Sequence, residues 1–298
     1  MRIIRDIAIL VAVVCFCGCQ STPPPPPKSV QMVMAENYVQ TANDTGAARN
    51  WKASASAWGN AATQYALLDM REAQANALHN QATMLLFYYR WLAGSTNEDE
   101  RQSMTLDIPL QVALRALDIH HFCKSAEIWK DLLLLAKIER DMDIEKAQRR
   151  MEEVLSLAEE LDFRTNNPEA LVSIFNEQAV VLLKSGNASD AKAKLVEALS
   201  LSDSAECRLN LAFCAEQMGE ENALQLWQSC LESAKASESL EGIAVSLEGI
   251  GRCYEKRGDV DMAERYLTFA LENYNQLRMR FEAKRVSERL ENRNKQSE

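Results

Sequence analysis

Ser246-Leu247-Glu248-Gly249-Ile250-Gly251-Arg252-Cys253-Tyr254-Glu255-Lys256-Arg257-Gly258-Asp259-Val260-Asp261-Met262-Ala263-Glu264-Arg265-Tyr266-Leu267-Thr268-Phe269-Ala270-Leu271 is the stretch on which the fold turns. Leu247, Ile250 and Tyr254 recur three and four residues apart, the repeat of one helix face. Gly258-Asp259 interrupts the run as a turn, and Ala263, Leu267 and Ala270 resume it. The spacing suits two antiparallel helices that approach so closely that only small residues fit at the contact, with Tyr254 and Leu267 filling the gaps beside them. A bulky residue at Gly251, Ala263 or Ala270 would overpack that contact at a cost of roughly 1–3 kcal/mol.

The unit closely resembles the tetratricopeptide repeat: a large apolar residue at Leu247, apolar-small at Ile250-Gly251, an aromatic at Tyr254, a Gly-Asp turn, then the small-large-small series. A second copy carries Phe175, Gln178-Ala179, Leu182, a turn at Gly186-Asn187, then Ala191, Leu195 and Ala198-Leu199. It departs from the pattern at Gln178, where an apolar residue is usual. A weaker third copy lies between, with Leu211-Ala212, Ala215, a shortened turn at Gly219-Glu220, Ala223, Trp227 and Cys230-Leu231. The turn glycines Gly186, Gly219 and Gly258 stand 33 and 39 residues apart, bracketing the family period of about 34. Upstream, Trp58, Ala61-Ala62 and Tyr65 repeat the first-helix pattern, with a turn near Asp69-Met70 and a second helix through Ala73, Ala77 and Met84-Leu85-Leu86-Phe87.

The resemblance implies an all-α protein, a right-handed superhelical stack of antiparallel helix hairpins. Residues 31–165 read as degenerate hairpins, 166–274 as the repeats and 275–298 as a polar capping helix, which the end of a solenoid requires. Phe122, Ala126 and Trp129 resemble the start of a second repeat helix. Gly94 to Glu100 is polar and turn-prone and reads as a hinge, giving a bend near residues 94–108, while Pro168 stops one helix and allows the next to start.

Ahead of the helices, Met1-Arg2-Ile3-Ile4-Arg5-Asp6 precedes the apolar run Ile7 to Gly18, which is shorter than the roughly 20 residues a membrane span needs and reads as an export signal. Its end, Phe16-Cys17-Gly18-Cys19, resembles the bacterial lipoprotein box. That resemblance implies removal of residues 1–18 and modification of Cys19 with acyl chains such as palmitate, two or more of which give stable anchoring. Residues 19–30 then form an anchor and stalk, Pro23 to Pro27 extending about 15 Å as polyproline helix. By resemblance to Gram-negative lipoproteins, Gln20 rather than Asp after the cysteine favours the outer membrane, facing the periplasm.

The net charge of −10 excludes nucleic acid as a partner, since phosphate binding needs a clustered basic face. Cys214, Cys230 and Cys253 fall on positions the repeat gives to small residues, so they read as small core hydrophobes; a Cys214–Cys230 bridge within one hairpin is the alternative. His79, His120 and His121 match no metal-ligand spacing, and no phosphate loop, nucleophile elbow or metalloprotease motif occurs. The expectation is a non-enzyme without cofactor or metal.

By resemblance, the inner groove of the stack carries Asn176, Val180 and Leu183, then Leu209, Phe213 and Glu216, then Glu248, Arg252 and Glu255. These residues suit a helix or extended segment of another protein. The function they imply is a membrane-anchored protein-binding scaffold of the bacterial envelope. The alternative is an accessory lipoprotein that holds a small ligand for a periplasmic transport system, with Trp51, Trp58, Tyr65, Trp91 and Trp129 lining its cavity.

Overall fold

Ser29, Asn50, Asn167, Ser204, Ser239 and Asp259 each accept a hydrogen bond on the side chain from the backbone N–H three residues on. Each thereby satisfies one of the donors a helix start leaves open. The computed structural model describes residues 28–297; the export signal, Cys19 and the Pro23–Pro27 run lie outside the described residues. Fifteen helices follow: α1 (Val30–Ala47), α2 (Trp51–Leu67), α3 (Arg71–Ala93), α4 (Glu98–Gln102), α5 (Asp107–Cys123), α6 (Ile128–Glu139), α7 (Ile144–Glu160), α8 (Phe163–Asn166), α9 (Pro168–Lys184), α10 (Ala188–Leu201), α11 (Ala205–Gln217), α12 (Ala223–Ala236), α13 (Leu240–Lys256), α14 (Val260–Gln276) and α15 (Arg280–Ser297).

Apart from the short α4 and α8, each helix packs on the next in a right-handed superhelical stack of antiparallel hairpins. Since neighbours alternate in direction, α3, α6, α9, α11, α13 and α15 run the same way and face inward, with α5, α7, α10, α12 and α14 outside them. Between the layers lies a core that includes Leu135, Ile138, Ile174 and Leu195 in the first half, and Trp227, Ile250, Leu267 and Tyr274 in the second.

The hairpin of α13 and α14 is packed as its sequence requires. A Cβ on Gly251 would stand 2.8 Å from Leu267 Cγ, and Ala263 and Ala270 have no exposed surface. Gly249 is tighter still: its Cβ would fall 2.2 Å from the Trp227 ring. Gly186, Gly219 and Gly258 take positive φ at the turns, the left-handed conformation that glycine adopts without penalty. Arg49, Asp69, Lys124, Asp162, Glu238 and Arg278 take the same conformation at six further turns.

Two expectations need correcting. Phe122 and Ala126 do not open a helix: α5 runs to Cys123, and α6 begins only at Ile128, so Phe122 is a helix end and 72% exposed. Nor is the segment after Gly94 a free hinge. Ser95 donates to Glu100 at 2.6 Å, and Arg101 donates to the Ser95 carbonyl.

That segment is where the stack meets itself. The chain curls round until the start of α15 reaches the end of α3. A Cβ on Gly94 would lie 2.2 Å from the Phe281 amide nitrogen, so only glycine admits the approach. Arg280 sits 3.9 Å above the centre of the Trp91 ring and pairs with Glu100 at 3.4 Å. A second tie joins Arg49, between α1 and α2, to Glu241 at the start of α13, at 2.9 Å. Because an end meets a start on helices that run the same way, the path climbs by about one helix length as it closes.

Candidate functional site

The six inward helices surround a cavity of about 1180 Å³. Its wall is unusual for a helical interior because polar groups alternate with apolar ones, and most of the charges are matched from one inner helix to the next. Arg140, just past α6, pairs with Glu177 on α9. Asn210 on α11 donates to Asn176 on α9 at 2.8 Å. Arg252 on α13 makes a two-pronged contact with Glu216 on α11 at 2.8 and 2.9 Å, and Arg285 on α15 reaches Glu248 on α13 at 2.6 Å. Each partner stands 34 to 37 residues from the other, one repeat apart, so a ladder of polar contacts crosses the inner surface.

The most buried part of this ladder is around Glu248 and Arg252. Glu248 accepts from the Tyr274 hydroxyl at 2.8 Å and also faces Arg252 at 3.0 Å. Burial pushes its carboxyl up, but the Arg285 and Arg252 guanidiniums and the Tyr274 hydroxyl outweigh burial and hold it below the usual carboxylate range. Glu216 also receives the Trp227 indole N–H at 3.1 Å. Arg252 lies within cation–π distance of Phe213 and Trp227, 5.5 and 5.4 Å from the ring centres. Glu177 differs: burial raises its carboxyl despite Arg140, Lys137 and Arg90 nearby.

Of the groove residues expected from the sequence, Asn176, Val180, Leu209, Phe213, Glu216, Glu248 and Arg252 line the cavity. Leu183 and Glu255 do not. Leu183 packs against the core, and Glu255 is taken by Arg289 and Arg293 of α15. Glu216 and Glu248 line the wall yet are only 2% exposed: the arginines of the following helix cover them, so they are not open contact points. The last helix carries more basic than acidic residues, and Arg285, Arg289 and Arg293 form a stripe one turn apart that docks on α13 and the start of α14.

The aromatic residues proposed to line a small-ligand cavity do not converge. Trp129 lines it, but Trp51 packs on Phe87, Trp58 and Tyr65 belong to the core between α1, α2 and α3, and Trp91 lies at the seam. Cys207, Cys214, Cys230 and Cys253 are buried free thiols and Cys123 is half-buried and free. Burial pushes the Cys214 thiol up to about 11, which suits a packing role.

Two histidines that are far apart in sequence meet on one carboxylate. Asp131 on α6 contacts His79 of α3 at 2.7 Å and His120 of α5 at 2.5 Å. Burial pushes the Asp131 carboxyl up, and the hydrogen bonds to the two imidazoles overcome it and hold it low. No group of three metal-ligating residues occurs among the described residues. The cluster ties three helices together beside the cavity, where His79 forms part of the wall.

Residues 203–276 match the tetratricopeptide repeat family model. That match covers α11 to α14, and no curated protein matches the chain. Among solved structures, a Rap protein complexed with competence and sporulation factor superposes with a TM-score of 0.63 at 15% identity, over 90% of this chain and 77% of that one. A signal transduction ATPase with numerous domains and a tetratricopeptide repeat sensor, from Pyrococcus horikoshii, gives 0.51 at 16% identity over 86% of this chain. The chain spans 42% of that protein's length. At such identities the likeness is one of fold, and it carries the tetratricopeptide-like solenoid well beyond the residues the family model matches.

Proposed function

We propose that the protein is a non-catalytic scaffold that binds a segment of another protein inside its helical stack, and that it does so anchored by lipid to a bacterial envelope membrane. The cavity carries the first part of this reading. Its volume of about 1180 Å³ exceeds the roughly 300–1,000 Å³ of small-molecule sites, and its walls offer half-buried Val180, Leu209 and Phe213 to an extended or helical segment. The Rap structure was solved with a bound factor, which supports a fold able to hold a partner. The anchor rests on the lipoprotein-like box ending at Cys19 and on the proline run behind it; placement in the outer membrane facing the periplasm rests on Gln20.

The test is site-specific photo-crosslinking in the producing cell, with a benzophenone side chain at Phe213 on the inner wall or at Phe122 on the outer face. A defined partner captured from position 213 and not from 122 is the expected result, and Cys19→Ala should release the protein from membranes. Equal capture from both positions, or none from 213, overturns the interior binding site. A Cys19→Ala protein that stays on membranes overturns the anchor and leaves the binding reading standing.

A further inference from the structure

Two features of the inner wall are left partly open toward the cavity. Phe87 on α3 faces the cavity; Trp51 covers part of the ring, and 38% of the residue's surface stays exposed. Lys137 on α6 also lines the cavity, half-buried; it feels the charge of Glu177, whose direct ion pair is with Arg140. It stands where the ends of α3, α6 and α9 bring positive charge together. Arg90, Lys137, Arg140 and Lys184 share two carboxylates there: Asp141 holds Arg90 and Lys184, and Glu177 holds Arg140. A chain of net charge −10 thus keeps a cationic surplus on its inner surface.

Cations at these helix ends complement the helix dipoles, but dipoles alone do not call for an exposed phenylalanine one turn from Arg90, or for Leu133 one turn before Lys137. The apolar and cationic groups form two adjoining stripes, about 4.5 Å apart along α3 and about 6 Å apart along α6. We infer that this part of the cavity, on the face made by α3 and α6, takes an acidic peptide segment: a large apolar side chain against the exposed edge of Phe87, with the largely covered Leu133 as the floor beneath it, and a carboxylate on Lys137. An extended segment advances about 6.6 Å in two residues, so the matching pattern is an apolar residue, any residue, then aspartate or glutamate. These residues lie outside the stretch that matches the family model. The inference rests on the interior binding site proposed above and names the chemistry of its occupant.

The probes are three pools of acetylated, amidated nonapeptides with randomised flanks and a central Leu-Ser-Asp, Leu-Ser-Asn or Leu-Ser-Lys, titrated into the full-length protein in detergent. The Asp pool should bind about tenfold more tightly than the others, Lys137→Gln should cut that preference to about twofold or less, and Lys137→Arg should keep it. The preference should also weaken with salt. Equal binding of the three pools, binding of none, or a preference that survives Lys137→Gln overturns the inference. Citrate forms the remaining arm: if it shifts Trp129 fluorescence as far as the Asp pool does, the site serves a small carboxylate and the peptide assignment falls. Failure here leaves the interior scaffold standing if position 213 still crosslinks a partner, and the scaffold itself falls only with that capture.

Discussion

At Asp131, burial and two imidazoles pull in opposite directions, and the imidazoles win. A carboxyl held low in the folded chain stabilises it above its unfolded value near 4, and the gain is lost as pH falls through the folded value. Asp131→Asn keeps the shape and removes the charge. Its urea midpoint at pH 7 should correspond to a loss of about 1–3 kcal/mol, and the gap from wild type should shrink when both are measured near pH 3. A gap of the same size at both values would mean that Asp131 is not ionised when folded. Nothing in the order of residues signals this cluster, because its histidines stand 52 and 11 residues from the aspartate and a motif reads only near neighbours. The arginines at 285, 289 and 293 were open to detection: their one-turn spacing marks a single helix face, and Glu248 and Glu255 stand one repeat earlier.

Among the helices, legibility followed the turns. Gly186, Gly219 and Gly258 made three hairpins visible, and the Trp58 to Tyr65 pattern made the turn at Asp69 visible without a glycine. Elsewhere Lys124, Asp162, Glu238 and Arg278 adopt the same left-handed turn with side chains that do not signal it, so the register between α5 and α8 was unreadable and Phe122 was placed on the wrong helix. The cost of that choice is measurable. An L-residue pays about 1–2 kcal/mol in this conformation, partly offset by the extra freedom glycine has when unfolded. Lys124→Gly should therefore raise stability by about 0.5–1 kcal/mol in urea titrations, and Gly258→Ala should lower it by about 1 kcal/mol. If Lys124→Gly lowers stability instead, the Lys124 side chain contributes more at that turn than the backbone strain costs.

At the scale of the molecule, the curl that brings α15 back to α3 was not legible at all. A repeat pattern fixes how each hairpin sits on the next, but whether the array meets itself depends on small rotations summed over six inner helices. The meeting depends on Gly94, where even a methyl group collides with the Phe281 backbone. Gly94→Val should push α15 away without touching the core, seen as a larger radius of gyration in X-ray scattering and faster amide exchange in α15. An unchanged radius would mean that the seam is incidental to the shape.

Open repeat arrays melt from their ends, because a terminal repeat has one neighbour where an interior repeat has two. Here the last helix has a second neighbour in α3, and the loop before α2 is tied to α13. At its C-terminal end the array thus gives up the cheap fraying that makes most solenoids soft at their tips, while α1 keeps α2 as its main neighbour. Opening the last helix then requires the seam to part, and for a segment held inside as proposed, the residence time would be tied to the seam as well as to the contacts that the segment makes.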